Sequence, residues 1–354
     1  MHFALPPRKT SFPPPYARVN AINSADQRRK QVQYLGYLVF GVLTIYLLFS
    51  TFFSDSIPEQ NASVDEDASV LIVTVLDEAT MSEEYISMIK ANRDDYAARH
   101  GYKTFYTNTS TYAHLTDPSP SSWSLIPALR HALTKHSTID YIWSLSPHAI
   151  ITNPSLSLYS HIFSRLPSLM LKDIPVVPPD SVIHTFSHLK PSQVYLILTQ
   201  DADNVAPTSF ILRNTGAISV AAGRPKDNWS HYFLDAWFDP LYRAYAFQKA
   251  ENHALEHIIQ WHPTILAKLA IVEQRVLNSY TYHSDIAPDE QYFTGISREH
   301  DSMWQQGDLI VNLKGCSEAK DRDCLKEMKQ RYGKWKASVI ILDSGAADSK
   351  DNAA

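Results

Sequence analysis

Twenty consecutive residues, Tyr34 to Phe53 (YLGYLVFGVLTIYLLFSTFF), carry no charge. As an α-helix they would span about 30 Å, the hydrocarbon thickness of a bilayer. A run that is apolar on every face has no side to turn to water. It predicts a membrane-spanning signal anchor. A buried core helix and a cleaved signal peptide are the alternatives, and the polar residues 1–33 that precede the run disfavour the second.

The flanks orient this span. Arg8, Lys9, Arg18, Arg28, Arg29 and Lys30 precede it against Asp26, while Asp55, Glu59, Asp65, Glu66 and Asp67 follow it. Positive charge stays cytoplasmic, so the bulk of the chain is expected in the lumen: a single-pass type II protein. A short, aromatic-rich span suits a thin early-secretory membrane. Asn61, Asn108 and Asn228 open N-x-Ser sequons, which are usable only in the lumen.

The sequence then divides into a cytoplasmic disordered tail (1–33), the anchor (34–53), a polar acidic stem (54–68), a folded domain (69–338) and a disordered tail (339–354). Within the domain, VLIVTVL (70–76) is a continuous apolar run, as in a strand covered on both faces. Ser82 to His100 has Tyr85, Ile86, Ile89 and Tyr96 at helical spacing, and Gly101 is a helix stop. Strands over 102–106 and 139–145 bracket a helix over 123–136. Further strands are expected over 195–199 and 209–212, and helices over 233–237 and 250–261. Strand alternating with helix predicts an α/β fold with a largely parallel sheet. Ligands of such sheets sit beyond the carboxyl ends of the strands, here just after Leu145.

A net charge of -5 without a basic stripe excludes a nucleic-acid partner. No G-x-G-x-x-G or G-x-x-x-x-G-K-[ST] occurs, which argues against a Rossmann or P-loop nucleotide site. Cys316 and Cys324 are too few for a four-thiolate zinc site. They could form a local disulfide or remain two free thiols. His253-Ala-Leu-Glu256-His257 fits H-x-x-E-H, a zinc metallopeptidase pattern, with a solvated helix face as the alternative. Asp201-Ala-Asp203 follows an apolar run and is a second candidate metal site.

The segment Tyr141-Ile-Trp-Ser-Leu-Ser146-Pro147-His148-Ala-Ile-Ile-Thr-Asn153-Pro154 resembles a motif of the fungal Golgi α-mannosyl/galactosyltransferases, glycosyltransferase family 34. There it reads roughly aromatic-Ile-Trp-x-Leu-Asp-x-Asp-Ala, apolar residues, Asn-Pro. WSLIPALRHALTK (123–135), TSFILRN (208–214), LDAWFDPLYR (234–243), 247–280 and GDLIVNLKGC (307–316) are similar in the same order. The likeness runs from about Ser69 to Trp335. It is nearest to an α-1,6-mannosyltransferase subunit of the mannan polymerase II complex.

That resemblance implies a GT-A-like nucleotide-sugar-binding domain behind one transmembrane helix. It implies retaining transfer of a sugar from GDP-mannose or a UDP-sugar. It implies Mn²⁺ held by the Asp-x-Asp pair and a later His, and an acidic-Gln pair near the anomeric carbon. The acidic-Gln pair falls on Glu251 and Asn252. The two Asp positions fall on Ser146 and His148, the later His on Asn312, and other donor-binding positions on Ala206 and Thr208. A Lys expected after Trp123 is replaced at Leu125. Ser146 and Asn312 are weak neutral ligands, so Mn²⁺ is not expected to be held in the family manner. Two readings follow. One is a subunit that extends N-linked mannan from GDP-mannose without a metal, with His148, Arg213 or Arg224 offsetting the diphosphate. The other is a non-catalytic assembly subunit of the same Golgi membrane complex. Other mannosyltransferase subunits are the expected partners, and the N-glycan mannan is the expected acceptor.

Overall fold

The structure is a computed structural model. It describes residues 29–44, 68–201, 204–216, 227–245, 247–281, 302–317 and 322–351. The chain forms two compact units, 1–62 and 63–354. The first holds a helix over 29–44, which begins inside the stretch expected to be a disordered tail. The rest of the predicted span (45–53) and nearly all of the stem lie outside the described residues. Among the described residues no helix is long and apolar enough to cross a membrane.

The second unit starts with β1 (Val70–Leu76), as its apolar run predicts. Alternate residues feed two cores: Leu71 and Val73 pack on one face, Val70 and Ile72 on the other. Helix α1 (Glu83–His100) follows. The Ser82 hydroxyl accepts from the Tyr85 N–H, Glu83 and Glu84 lie in the first turn, and Gly101 closes the helix at φ 68°. A residue with a Cβ is strained at that angle, which is why glycine stands there. Next come β2 (Lys103–Asn108), α2 (Leu125–Lys135), β3 (Tyr141–Leu145), β4 (Ala149–Ile151) and β5 (Met170–Leu171). Then follow β6 (Leu196–Gln200), β7 (Val205–Arg213), α3 (Trp229–Trp237), α4 (Ala250–Trp261), β8 (Leu269–Val272), β9 (Ile310–Asn312) and α5 (Cys324–Asp351), with single-turn helices between.

The main sheet has the order β2-β1-β3-β7-β6-β8-β5, and β4 pairs with β9 in a second small sheet. β1 runs parallel to β2 and β3, and β6 runs parallel to β8. β7 is antiparallel to both β3 and β6, and β5 is antiparallel to β8. The sheet is therefore mixed, not largely parallel as expected. β6 and β7 form a tight hairpin, which forces them antiparallel, and β7 lies between the two parallel groups. One face of the sheet is covered by α2, α3 and α4, with Trp237 and Phe233 fully buried. The other face carries Tyr96 of α1 together with Leu158, Ile162 and Leu166. β4 and β9 pack against α1 and α5 through Ile150, Val311 and Met328.

A second correction concerns the C-terminus. Residues 339–351, expected to be a disordered tail, continue α5 to Asp351. Asp343 on that extension accepts from Arg99 of α1 at 2.9 Å, a contact that the polar composition of the segment does not announce.

Candidate functional site

β1, β3, β6 and β8 point the same way, so Asp77, Ser146, Asp201 and Glu273 emerge at one edge of the sheet. β7 starts at that edge. Its first four residues, 205–208, form a ledge along which six of the residues singled out in the sequence are gathered.

At one end of the ledge, Ser146 donates its N–H to the Thr208 carbonyl at 2.8 Å. The Asn312 amide donates to the Thr208 hydroxyl at 2.7 Å and to Asn278 Oδ1 at 3.0 Å. Asn278 Nδ2 in turn donates to Thr208 Oγ1 at 2.8 Å and to the Ala206 carbonyl at 3.2 Å. At the other end, Asn252 Nδ2 donates to the Val205 carbonyl at 3.2 Å, while Glu256 Oε1 accepts from the Val205 N–H at 3.2 Å. Two acceptors on this ledge, Asn312 Oδ1 and Asn252 Oδ1, are buried and have no partner among the described residues. A buried carbonyl oxygen without a donor is costly.

Two predicted residues turn elsewhere. The His148 ring meets Tyr85 and Cys316, with Nδ1 3.0 Å from the Tyr85 hydroxyl and 3.7 Å from Cys316 Sγ. Burial lowers the His148 pKa, and the Arg93 charge lowers it further. Burial raises that of Tyr85, so the phenol keeps its proton in this contact. The Glu251 carboxylate accepts from the Ser122 hydroxyl at 2.5 Å, and the Glu251 carbonyl accepts from Trp237 Nε1 at 2.7 Å. Burial raises the pKa of Glu251, with the Ser122 bond opposing it. Immediately before it, Ala250 sits at φ 43°. That conformation costs a non-glycine residue about 1 kcal/mol and fixes how Glu251 leaves the preceding turn.

Sequence reasoning missed Arg93, Asn278, Tyr280 and Lys314. Arg93 is fully buried, at 0% exposure. It donates to Thr74 Oγ1 and to the carbonyls of Ile89, Ser146 and Ala149 at 2.7–3.3 Å. Its partners are neutral oxygens, and burial lowers its pKa to about 10, still charged at neutral pH. The spacing of Ile89, Arg93 and Tyr96 on one helical face was a readable signal. Lys314 pairs with Asp201 and lies 4.7 Å from the centre of the Tyr280 ring. Asp201 also accepts from the Tyr280 hydroxyl at 2.8 Å and from the Asn204 N–H at 2.7 Å. As a metal candidate Asp201 is thus already engaged by protein donors, and Asp203 lies outside the described residues.

The donor set at the positions implied for Mn²⁺ does not fit it. Ser146 Oγ accepts from the His148 N–H at 3.2 Å, closing the Ser-Pro-His turn on itself. His148 Nδ1 is engaged by Tyr85, and no carboxylate stands at any of the three positions. Among the described residues, the one group of three His, Cys, Asp or Glu side chains close enough to share an ion is His148, Cys316 and Cys324. Those cysteines are disulfide-bonded and offer no thiolate.

His253 Nε2 lies 3.7 Å from Glu256 Oε2, but His257 does not join them within reach of one ion, which does not support the zinc reading. The His253 ring packs on Phe247 and the His257 ring on Tyr242, while Glu256 anchors Val205. Arg213 pairs with Tyr141 at the opposite edge of the sheet and cannot meet a ligand at Ser146; Arg224 lies outside the described residues. Of the sequons, Asn61 is outside the described residues. Asn108 is half-buried with Oδ1 accepting from the Ser110 N–H, and Asn228 is exposed before α3.

The profile of the galactosyl transferase GMA12/MNN10 family matches residues 66–323, the whole of the site included. The chain belongs to this family. Within the GMA12/MNN10 family it is 30% identical over 263 residues to an uncharacterized alpha-1,2-galactosyltransferase of Schizosaccharomyces pombe, covering 72% of each chain. It is also 30% identical over 281 residues to the probable alpha-1,6-mannosyltransferase MNN11 of Saccharomyces cerevisiae, covering 76% of this chain and 62% of that one. The probable alpha-1,6-mannosyltransferase MNN10 of the same yeast is 26% identical, with 67% and 56% covered. Among solved structures, a glycosyltransferase involved in glycosylating the major capsid of PBCV-1 covers 74% of this chain and 98% of its own, with TM-score 0.42 and 9% identity. The galactosyltransferase LgtC, in complex with donor and acceptor sugar analogs, covers 74% and 95%, with TM-score 0.38 and 10% identity.

Proposed function

We propose that this GMA12/MNN10 chain is a subunit of a Golgi α-1,6-mannosyltransferase complex that extends N-linked mannan from GDP-mannose with retention. The reading has the GT-A domain in the lumen, held by residues 34–53. The observation that carries it is the ledge at 205–208. Backbone and neutral side chains there converge with Asn252 at the carboxyl edge of the sheet, where α/β folds bind ligands, and Glu251 precedes Asn252 in α4 with its carboxylate on Ser122. The alpha-1,6-mannosyltransferase names of MNN10 and MNN11 support mannose as the sugar.

In the proposed transfer, the bond from the anomeric carbon to the diphosphate oxygen breaks. The acceptor hydroxyl oxygen bonds to that carbon on the same face, and its proton passes to the departing diphosphate. Glu251, once ionised, stabilises the positive charge that develops on the ring. The second reading is an assembly subunit without turnover. It is favoured by Ser146 Oγ and His148 Nδ1, which are spent on the protein itself.

The test uses the full chain with its co-purifying partners. Transfer from GDP-mannose to an α-1,6-mannan acceptor is compared with transfer from UDP-galactose, for wild type and Glu251→Ala. Mannosyl transfer reduced about 100-fold by the substitution supports the catalytic reading. An unchanged rate removes it and leaves the assembly role. Preference for UDP-galactose overturns the donor assignment. Protease protection of the C-terminal unit in sealed Golgi vesicles tests the topology.

A further inference from the structure

We propose that this site receives the diphosphate of a nucleotide sugar without a divalent metal, and that the Lys314 ammonium is the cation that meets it. The proposal rests on the sugar-nucleotide reading above and deepens it. Its starting point is the mismatch at Ser146, His148 and Asn312. A diphosphate leaving group carries negative charge that something must offset, and those three side chains offer a hydroxyl, a neutral ring and an amide.

Lys314 is placed to supply the charge. Its backbone follows Leu313, whose N–H donates to the His148 carbonyl at 2.7 Å, so it begins on the β3/β4 side of the site. Its ammonium ends at Asp201, just past β6. The side chain therefore crosses the carboxyl edge of the sheet, over the strand that carries Ala206 and Thr208. Its side chain is 46% exposed while Asp201 is 8% exposed, so the pair is anchored on the protein side and open on the other. An ammonium has three N–H donors, and Asp201 is one partner. The carboxylate shares its charge with the Tyr280 hydroxyl and the Asn204 N–H, so it tethers the lysine while only partly cancelling its charge.

Other cations fall into two groups. Arg93 is charged and carboxylate-free in its hydrogen bonding, and it lies directly under the Ser146 and Ala149 carbonyls. It contributes field and rigidity from below without touching a ligand. Lys249 hydrogen-bonds the Asn204 side chain and so reaches Asn204 from the α4 side. His148 Nδ1 is engaged by Tyr85, and Arg213 is at the wrong edge.

Equilibrium binding of GDP, with UDP as a second arm, to the full-length protein in detergent decides the matter by calorimetry. In excess EDTA the affinity is expected to equal that with Mn²⁺. Lys314→Ala weakens it about tenfold in either condition, Lys314→Arg restores most of the loss, and added salt weakens wild type more than the Ala variant. Circular dichroism of each variant confirms the fold. Binding that needs Mn²⁺ and disappears in EDTA overturns the proposal and leaves the sugar-nucleotide reading standing. Metal-free binding that ignores Lys314→Ala overturns the role of Lys314. No binding of either nucleotide under any condition overturns both readings together.

Discussion

Arg93 Nη2 donates to the Ser146 carbonyl at 2.7 Å, tying the middle of α1 to the first residue beyond β3. The same nitrogen reaches the Ala149 carbonyl at 3.0 Å, so one guanidinium holds both ends of the Ser-Pro-His-Ala turn. The backbone of the would-be metal loop is thus fixed from beneath by a side chain.

Removing that clamp strands buried carbonyls. Arg93→Met is expected to cost about 3 kcal/mol or more, because Ser146, Ala149 and Thr74 each lose a donor. Urea denaturation measures it. A loss below about 1 kcal/mol would mean the turn holds itself.

Restoring the family pattern should restore the family ligand. Ser146→Asp, His148→Asp and Asn312→His combined place two carboxylates and an imidazole at the three family positions. Mn²⁺ affinity, read by electron paramagnetic resonance, is expected to rise at least tenfold (order of magnitude) over wild type. No gain would show that the turn geometry, beyond the side chains, rejects the ion.

Glu251 links pH to stability. Burial raises its folded pKa above the unfolded value, so the folded state binds more protons through that window. Stability from this group is full below the unfolded carboxylate pKa and declines as pH rises through the folded one. Glu251→Gln removes the decline. The variant is expected to melt above wild type at neutral pH, with the gap closing towards pH 4, while transfer falls. A constant gap across pH would exclude the buried carboxylate as its source.

The Cys316–Cys324 disulfide joins residues eight positions apart, starting two residues after Lys314. The double substitution Cys316→Ser, Cys324→Ser is expected to lower stability by about 2 kcal/mol through release of the denatured chain. Hydrogen exchange should accelerate at Leu313 and Cys316, whose N–H groups bond to His148 and Leu313. Unchanged exchange at both positions would confine the effect to the unfolded state.

Much of the scaffold was legible because local pattern and tertiary burial agree. VLIVTVL is apolar at every position since both faces of β1 are covered, and Ser82 and Gly101 bracket α1 with cap chemistry. The insertion of β7 was not legible. An apolar run encodes burial without encoding direction, and nothing local tells Val205–Arg213 to lie between β3 and β6. The site was legible in half. Ser146, Thr208, Asn252 and Asn312 do meet, but Asn278 and Lys314 join from segments with no pattern of their own. Whether the His148 ring points in or out depends on Tyr85, 63 positions away. Arg93 could have been found, as a charge standing on an apolar helical stripe.

The place of β7 in the sheet has a consequence for biosynthesis. Strands β1 to β3 are complete by Leu145, yet the neighbour of β3 is not translated until Arg213. Through that interval the nascent chain presents an open hydrogen-bonding rim at β3, the kind of rim that recruits chaperones or stray strands. Asn278 and Asn312 emerge later still. A ribosome-bound intermediate halted before Val205 should therefore be sticky and unable to hold nucleotide, and maturation of the pocket is a late event in translation.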